Sequence, residues 1–495
     1  MQKLRAFLLV VPLLLFVLLS FVGPIIDMLF RSVENYLVSD TLPRTVAILD
    51  DEDVNEDWQP SEDLFSALYV DLAIAVDVKA HTRVGSRLNY ERSGIASLFR
   101  STGRKLSGIG SRDYAKTVKS LNPSWEGIEH WQQFVAALEN ANALPNTTAA
   151  FRQWQRDHAA RRTDVNSLEP QDVLFVVLVE EALSVGEGRL AAIGSPHSDN
   201  LAEILANAAA FEPIEYKEAF LGFDKKWADR ELWVTVSLYS SRLTSGYFLN
   251  SIDLKKSEDG IEARPERERL YTKIFMRTFA MSIFITLCCL VIGYPVAYLM
   301  ANLPTKHANI LLILVLLPFW TSLLVRTAAW KVLLQEQGVI NDILVSIGLI
   351  GDLNRLAMIN NQLGTIIAMT HILLPFMILP LFSVMRTIPP SFVIAARSLG
   401  ATPVTAFRRV YFPQSLAGVG AGMVLVFILA IGYYITPELV GGTNGTFISN
   451  RIAYHISSSL NWGLGAALAT ILLAVVIMLY WTYDRLVGID NVKLG

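Results

Sequence analysis

Among 495 residues only two cysteines occur, Cys288 and Cys289, adjacent and inside an apolar run. Neighbouring cysteines rarely bond each other and there are no others, so no disulfide framework is expected. The seven histidines form no HExxH pair, no Ser-His-Asp grouping can be drawn, and no GxxxxGK[ST] loop is present to cradle phosphates. The acidic run 50–57, DDEDVNED, lacks the central Gly and closing Glu of an EF-hand. It reads as a solvated loop, with Ca²⁺ binding the weaker reading. Residues 31–270 contain no apolar stretch long enough to cross a bilayer. These absences leave no catalytic centre, metal site, resident cofactor or nucleic-acid interface to expect in this chain.

The chain is instead rich in apolar residues, 52% of the total, and its mean hydropathy is positive. That balance suits a multi-span membrane protein with a sizeable aqueous part. A first apolar run, 6–30, lies between Arg5 and Arg31. It is long for the apolar part of a signal peptide and shows no clear A-x-A-type site, so it reads as an uncleaved anchor. Five further spans are predicted at 274–301, 308–334, 362–385, 415–436 and 463–483. The expected class is an all-α membrane protein of six transmembrane helices, with a mixed, mainly helical domain inserted between spans one and two. The divisions are 1–30 (anchor), 31–270 (insertion) and 271–495 (five-span core). Within the insertion, amphipathic helices are expected at 62–76, 125–143, 149–161, 170–185 and 199–210, and 231–249 is undecided between strand and helix.

Charge is unevenly divided: about −11 on residues 31–270 and about +8 on the remainder. Four spans precede residue 389, so 389–413 and the N-terminus share a face. Lys3, Arg5, Lys306, Arg386, Arg397, Arg408, Arg409, Arg485 and Lys493 all fall there. Cationic loops mark the cytoplasmic side, with Arg355 and Arg451 as the main exceptions on the other face. Both termini are therefore expected inside, and 31–270 outside, periplasmic in a cell with two membranes.

Residues 389–413, PPSFVIAARSLGATPVTAFRRVYFPQ, are not written like a linker. Phe392, Ala395 or Ala396, and Leu399 recur at helical spacing, Pro389 and Pro390 start the helix, and Gly400 stands where a chain leaves one through a left-handed turn. A second short helix is expected at 403–410. The pattern resembles the coupling loop of binding-protein-dependent ABC importer permeases, the membrane subunits of type I importers. Ala395 and Ala396 match that family's two alanines, Gly400 its glycine, and Val410, Phe412 and Pro413 its Ile, Leu and Pro. Ile394 stands where the family has Glu, so a role for that carboxylate is not carried over. The segments 291–300, 317–331, 338–342, 374–380, 436–442 and 461–467 resemble the spermidine/putrescine branch. Gly463 stands where that branch usually has Pro, and the large insertion is a further departure.

The resemblance implies a permease subunit that is not itself an enzyme, in the inner membrane. It implies partner ATPase subunits that carry ATP and Mg, a second permease subunit, identical or homologous, and a solute-binding protein outside. A polyamine or similar organic cation is the implied substrate. The coupling set is Ala395, Ala396, Arg397, Gly400, Val410, Phe412 and Pro413. LSGIG at 106–110 partly echoes an ATPase signature and is read as coincidence. Two residues are candidates for the translocation path: Arg326 in the third span, which otherwise snorkels to the interface, and Glu438 at the outer end of the fifth, otherwise a solvated loop residue. His371 is read as bonding backbone freed by Pro375, and Gly418 and Gly422 as helix-packing contacts. A membrane-anchored sensor with an outer ligand domain is the competing class.

Overall fold

The computed structural model describes residues 2–52, 54–185, 190 and 192–487. Asp53 of the acidic run and Lys493 lie outside them, as do the side chains of Lys3 and Arg5. Two compact units are present. One joins 1–33, 247–254 and 263–495, and the other joins 34–246 and 255–262.

Among the described residues the first unit holds five helices long and apolar enough to cross a membrane: Val10–Arg31, Tyr271–Asn302, Gln362–Thr387, Pro403–Gly432 and Trp462–Arg485. The expected span 308–334 differs. It is a pair, Thr305–Trp320 and Leu323–Leu333, bent by 93°. The break has local causes. Pro318 cannot donate an amide within the 3₁₀ turn Leu317–Trp320, and extended Ser322 starts a new helix, its hydroxyl accepting from the Val325 amide at 3.2 Å. With the pair counted as one span, the helices number six.

The helix Tyr271–Asn302 packs on Gln362–Thr387, which packs on Pro403–Gly432. Ile285, Cys289, Met300, Leu373, Met377 and Leu381 are buried between them. Gly418 and Gly422 make the last approach possible: a Cβ on Gly422 would stand 2.7 Å from Met377 Sδ, and one on Gly418 3.0 Å from Val384 Cβ.

The second unit is helical around an aromatic core in which Trp125, Trp131, Trp154, Trp227 and Trp233 are fully buried. The helices Glu62–Asp77, Ile128–Ala141, Pro145–Ala160, Asp172–Ser184 and His197–Ala206 stand near their expected places. The undecided segment 231–249 is helical at its two ends, in Arg230–Leu238 and in Gly246–Ser251, of which 247–251 belong to the first unit. Among the described residues the strands are one hairpin, Leu254–Ser257 with Gly260–Ala263. Buried carboxylates are consumed locally. Asp71 accepts from Arg44 Nη1 at 2.8 Å and the Thr45 amide at 2.9 Å. Glu181 caps the helix Pro145–Ala160 through the amides of Asn146 (2.8 Å) and Thr147 (2.7 Å). Burial raises the Asp71 carboxyl above the usual carboxylate range, with Arg44 opposing.

Candidate functional site

The stretch 389–413 begins as a helix, Pro390–Ser398, whose amide-less prolines sit where no donor is needed. It ends in a Schellman motif. The Ala401 amide donates to the Ala396 carbonyl at 3.1 Å and the Gly400 amide to the Arg397 carbonyl at 3.0 Å. Gly400 takes φ +89° with open space where a Cβ would stand. Ala396 and Arg397 thus hold the elbow through their backbones, while Ala395 and the Arg397 side chain are exposed. The apolar face is uncovered: Leu399 is 89% exposed, Val404 74%, Ile394 62% and Phe392 49%.

Beyond the elbow the expected short helix 403–410 is corrected. Residues 403–432 form one continuous helix, so the fifth span begins at Pro403 rather than 415 and ends at Gly432 rather than 436. It carries a π turn at Phe407–Tyr411, in which the Phe412 amide reaches back to the Phe407 carbonyl. Pro413 follows this turn and lacks the amide that would continue the α ladder. Val410 is half-buried in the turn, and Phe412 and Pro413 are exposed at its end.

The π turn is rooted in the second span by side chains that sequence reading missed. The Phe407 ring lies 5.7 Å from Tyr298 and 6.2 Å from Tyr294, Tyr411 lies 5.0 Å from Tyr298, and Phe412 5.9 Å from Tyr294. The Tyr294 and Ser415 hydroxyls are hydrogen-bonded at 2.9 Å. The signal was present: Tyr294 and Tyr298 stand at i, i+4, as do Phe407 and Tyr411, spacings that put each pair on one helix face. Arg386, at the end of Gln362–Thr387, donates to the Thr305 hydroxyl at 3.0 Å and ties that end to the chain just after Asn302. The exposed elbow is thus followed directly by an aromatic joint between two apolar helices.

The other candidates lie away from the loop. Arg326, on Leu323–Leu333, has Nε and Nη1 buried without a hydrogen-bond partner, within electrostatic reach of His371 and Tyr433. His371 Nδ1 accepts from Trp330 Nε1 at 3.0 Å, so the expected bond to freed backbone is replaced by a side-chain partner. Glu438, on Ile435–Val440, accepts from Asn450 Nδ2 at 2.6 Å and lines a recess of about 310 Å³ with Thr443, Thr446, Arg451 and Tyr454. The structure therefore does not bring Arg326 and Glu438 into an ion pair. Among the described residues no group of three or more His, Cys, Asp or Glu side chains could hold a metal ion.

Residues 279–487 match the family described as binding-protein-dependent transport system inner membrane component. The chain is 36% identical over 222 residues to the spermidine/putrescine transport system permease protein PotB of Haemophilus influenzae, covering 44% of this chain and 77% of the relative. It is 34% identical to PotB of Escherichia coli K12, covering 44% and 80%, and 32% identical to the inner membrane ABC transporter permease protein YdcU of the same organism, covering 43% and 71%. Four of the apolar helices, the bent pair and the Gly400 elbow stand in or beside that matched region, and the chain belongs to the binding-protein-dependent ABC importer permeases of the inner membrane.

Proposed function

We propose that this permease subunit imports a small organic cation of the polyamine class. A solute-binding protein delivers it, and partner ATPase subunits, which bind ATP and Mg, drive the cycle. A second permease subunit, identical or homologous, completes the path. Residues 31–270 face outward and take part in docking or gating of the solute-binding protein. Residues 389–413 and both termini face the cytoplasm. The observation that carries the coupling role is the uncovered apolar face on a Schellman elbow, rooted in the second span by Tyr294 and Tyr298. Apolar surface of that kind in an aqueous loop calls for a partner. ATP binding draws the ATPases together, and the elbow passes that motion to the spans as a shift between access states.

The substrate class is supported by the relatives named spermidine/putrescine transport system permease protein and by the net negative insertion, which raises local cation concentration. Uptake of labelled putrescine and spermidine into proteoliposomes holding the whole transporter and its binding protein tests it. ATP-dependent uptake that unlabelled polyamine competes away is expected. Selective uptake of a sugar or an anion, indifferent to polyamine, refutes the substrate class.

A further inference from the structure

At the membrane face opposite the 389–413 loop, two guanidinium groups stand together without a carboxylate partner. Arg277, on the second span, donates through Nη1 to the Thr443 carbonyl and through Nη2 to the Thr446 hydroxyl, each at 3.1 Å, and its buried Nε has no partner. Thr443 and Thr446, which hold Arg277, line a recess together with Arg451, which lies within electrostatic reach of Arg277 and forms no ion pair among the described residues. It is also a cation on the face where the charge rule expects few. Like charges near each other, neither of them ion-paired, are costly unless an anion neutralises them. The recess holds one carboxylate, Glu438, occupied only by the neutral Asn450 amide. Its volume, about 310 Å³, is in the small-molecule range.

Depth narrows the ligand. A bilayer core takes about 20 helical residues. With Asn302 taken as one edge of the hydrocarbon, Arg277 stands roughly 7 Å beyond the other edge, at the level of lipid headgroups. Tyr454, on the rim, is 47% exposed. Near the same end of the spans Trp462 is 48% exposed, with the Arg31 guanidinium 5.6 Å from its ring. Exposed aromatics at this level are interfacial anchors. A polycation is disfavoured there by two unpaired guanidiniums, whereas a phosphodiester matches them.

We propose that this recess binds the headgroup of phosphatidylethanolamine, its phosphodiester held by Arg277 and Arg451 and its ammonium by Glu438. The site is independent of what the transporter carries. It would pin the start of the second span to the helix Ile448–Ser457 through a lipid.

The test is lipid retention by the whole transporter in detergent, read by native mass spectrometry after exposure to phosphatidylethanolamine, phosphatidylcholine and phosphatidylglycerol. Wild type should retain the ethanolamine lipid over the choline lipid on the order of tenfold, the scale of a hydrogen bond to a charged group, because choline cannot donate to Glu438. Glu438→Gln, which can still accept from Asn450, should erase that preference and leave phosphatidylglycerol retention unchanged. Arg277→Gln with Arg451→Gln should lower retention of all three. Equal retention of all lipids by wild type, or unchanged retention in the double variant, overturns the proposal. Displacement by acyl-free glycerophosphoethanolamine at equal concentration reassigns the recess to a soluble zwitterion. Displacement by loaded solute-binding protein reassigns it to a protein carboxylate. Either overturns the lipid assignment.

Discussion

At Gly400 the backbone sits at φ +89° and nothing stands within 4 Å of where a Cβ would be. A substituent there is therefore opposed by backbone strain alone, of order 1–3 kcal/mol, and by no clash. Valine, branched at Cβ, strains this position most, and asparagine tolerates it better. Gly400→Val should insert at wild-type levels, since no span is touched, yet abolish uptake and leave ATP hydrolysis unresponsive to loaded binding protein. Gly400→Asn should keep a substantial fraction of transport. Uptake and ATPase activity measured in the same proteoliposomes decide it, and wild-type uptake by the valine variant sinks the coupling role. Gly463 carries a different constraint. A Cβ there would stand 2.4 Å from the Tyr247 ring. That contact gives a physical reason for glycine at this position, because Tyr247 belongs to the segment returning from the insertion.

Apolar spans were legible because twenty or so unbroken apolar residues have few other uses. The 93° break within the third was not, since hydropathy runs straight through Leu317–Trp320 and only Pro318 and Ser322 mark it. The Gly400 elbow was readable from its spacing. Its aromatic root was not, because Tyr294 and Phe407 meet across more than a hundred residues. In the insertion, the helices Ala80–Asn89, Ile95–Lys105 and Ser111–Leu121 were missed. Their cation-rich sequences hide narrow apolar stripes such as Ile95 with Leu98 and Phe99. The junction of two better-marked helices carries a pH prediction. His130, on Ile128–Ala141, lies 5.9 Å ring to ring from His197, the first residue of His197–Ala206, and 4.7 Å from Trp125. Burial first, and then the neighbouring His197, lowers the His130 pKa. The unfolded chain therefore takes up a proton below about pH 6.5 that the fold resists, so stability falls as pH falls through that value. His130→Phe keeps the ring packing and removes the proton site. Melting of the whole protein, followed by tryptophan fluorescence at pH 7.5 and 5.5, should show a smaller acid-induced loss in the variant. Parallel losses would exclude His130 as a cause.

The bent pair raises the question of how many times the chain crosses the membrane between its neighbours, and three hydrogen bonds bear on it. Arg386 bonds to Thr305, so the C-terminal ends of Tyr271–Asn302 and Gln362–Thr387 lie on one face. At the opposite ends, Arg277 donates to the Thr443 carbonyl and the Thr365 hydroxyl to the Gly445 carbonyl at 3.2 Å. The two spans are therefore parallel. A chain that leaves one at Asn302 and enters the other at Gln362 must cross between them, whatever its 93° bend. With Val10–Arg31 taken as a crossing as well, four crossings are expected between the N-terminus and residue 389, and the proposed topology puts the insertion on the face opposite Arg397, Arg408 and Arg409. If the cationic face is cytoplasmic, trypsin has two sets of exposed arginines on opposite sides: Arg161 and Arg162 in the insertion, and Arg408 and Arg409 beside the elbow. Trypsin added to intact spheroplasts should cut at the first pair and spare the second, and permeabilisation should expose both. Cutting at Arg408 and Arg409 in intact spheroplasts, with Arg161 and Arg162 protected, would invert the topology and place the elbow where no ATPase could reach it.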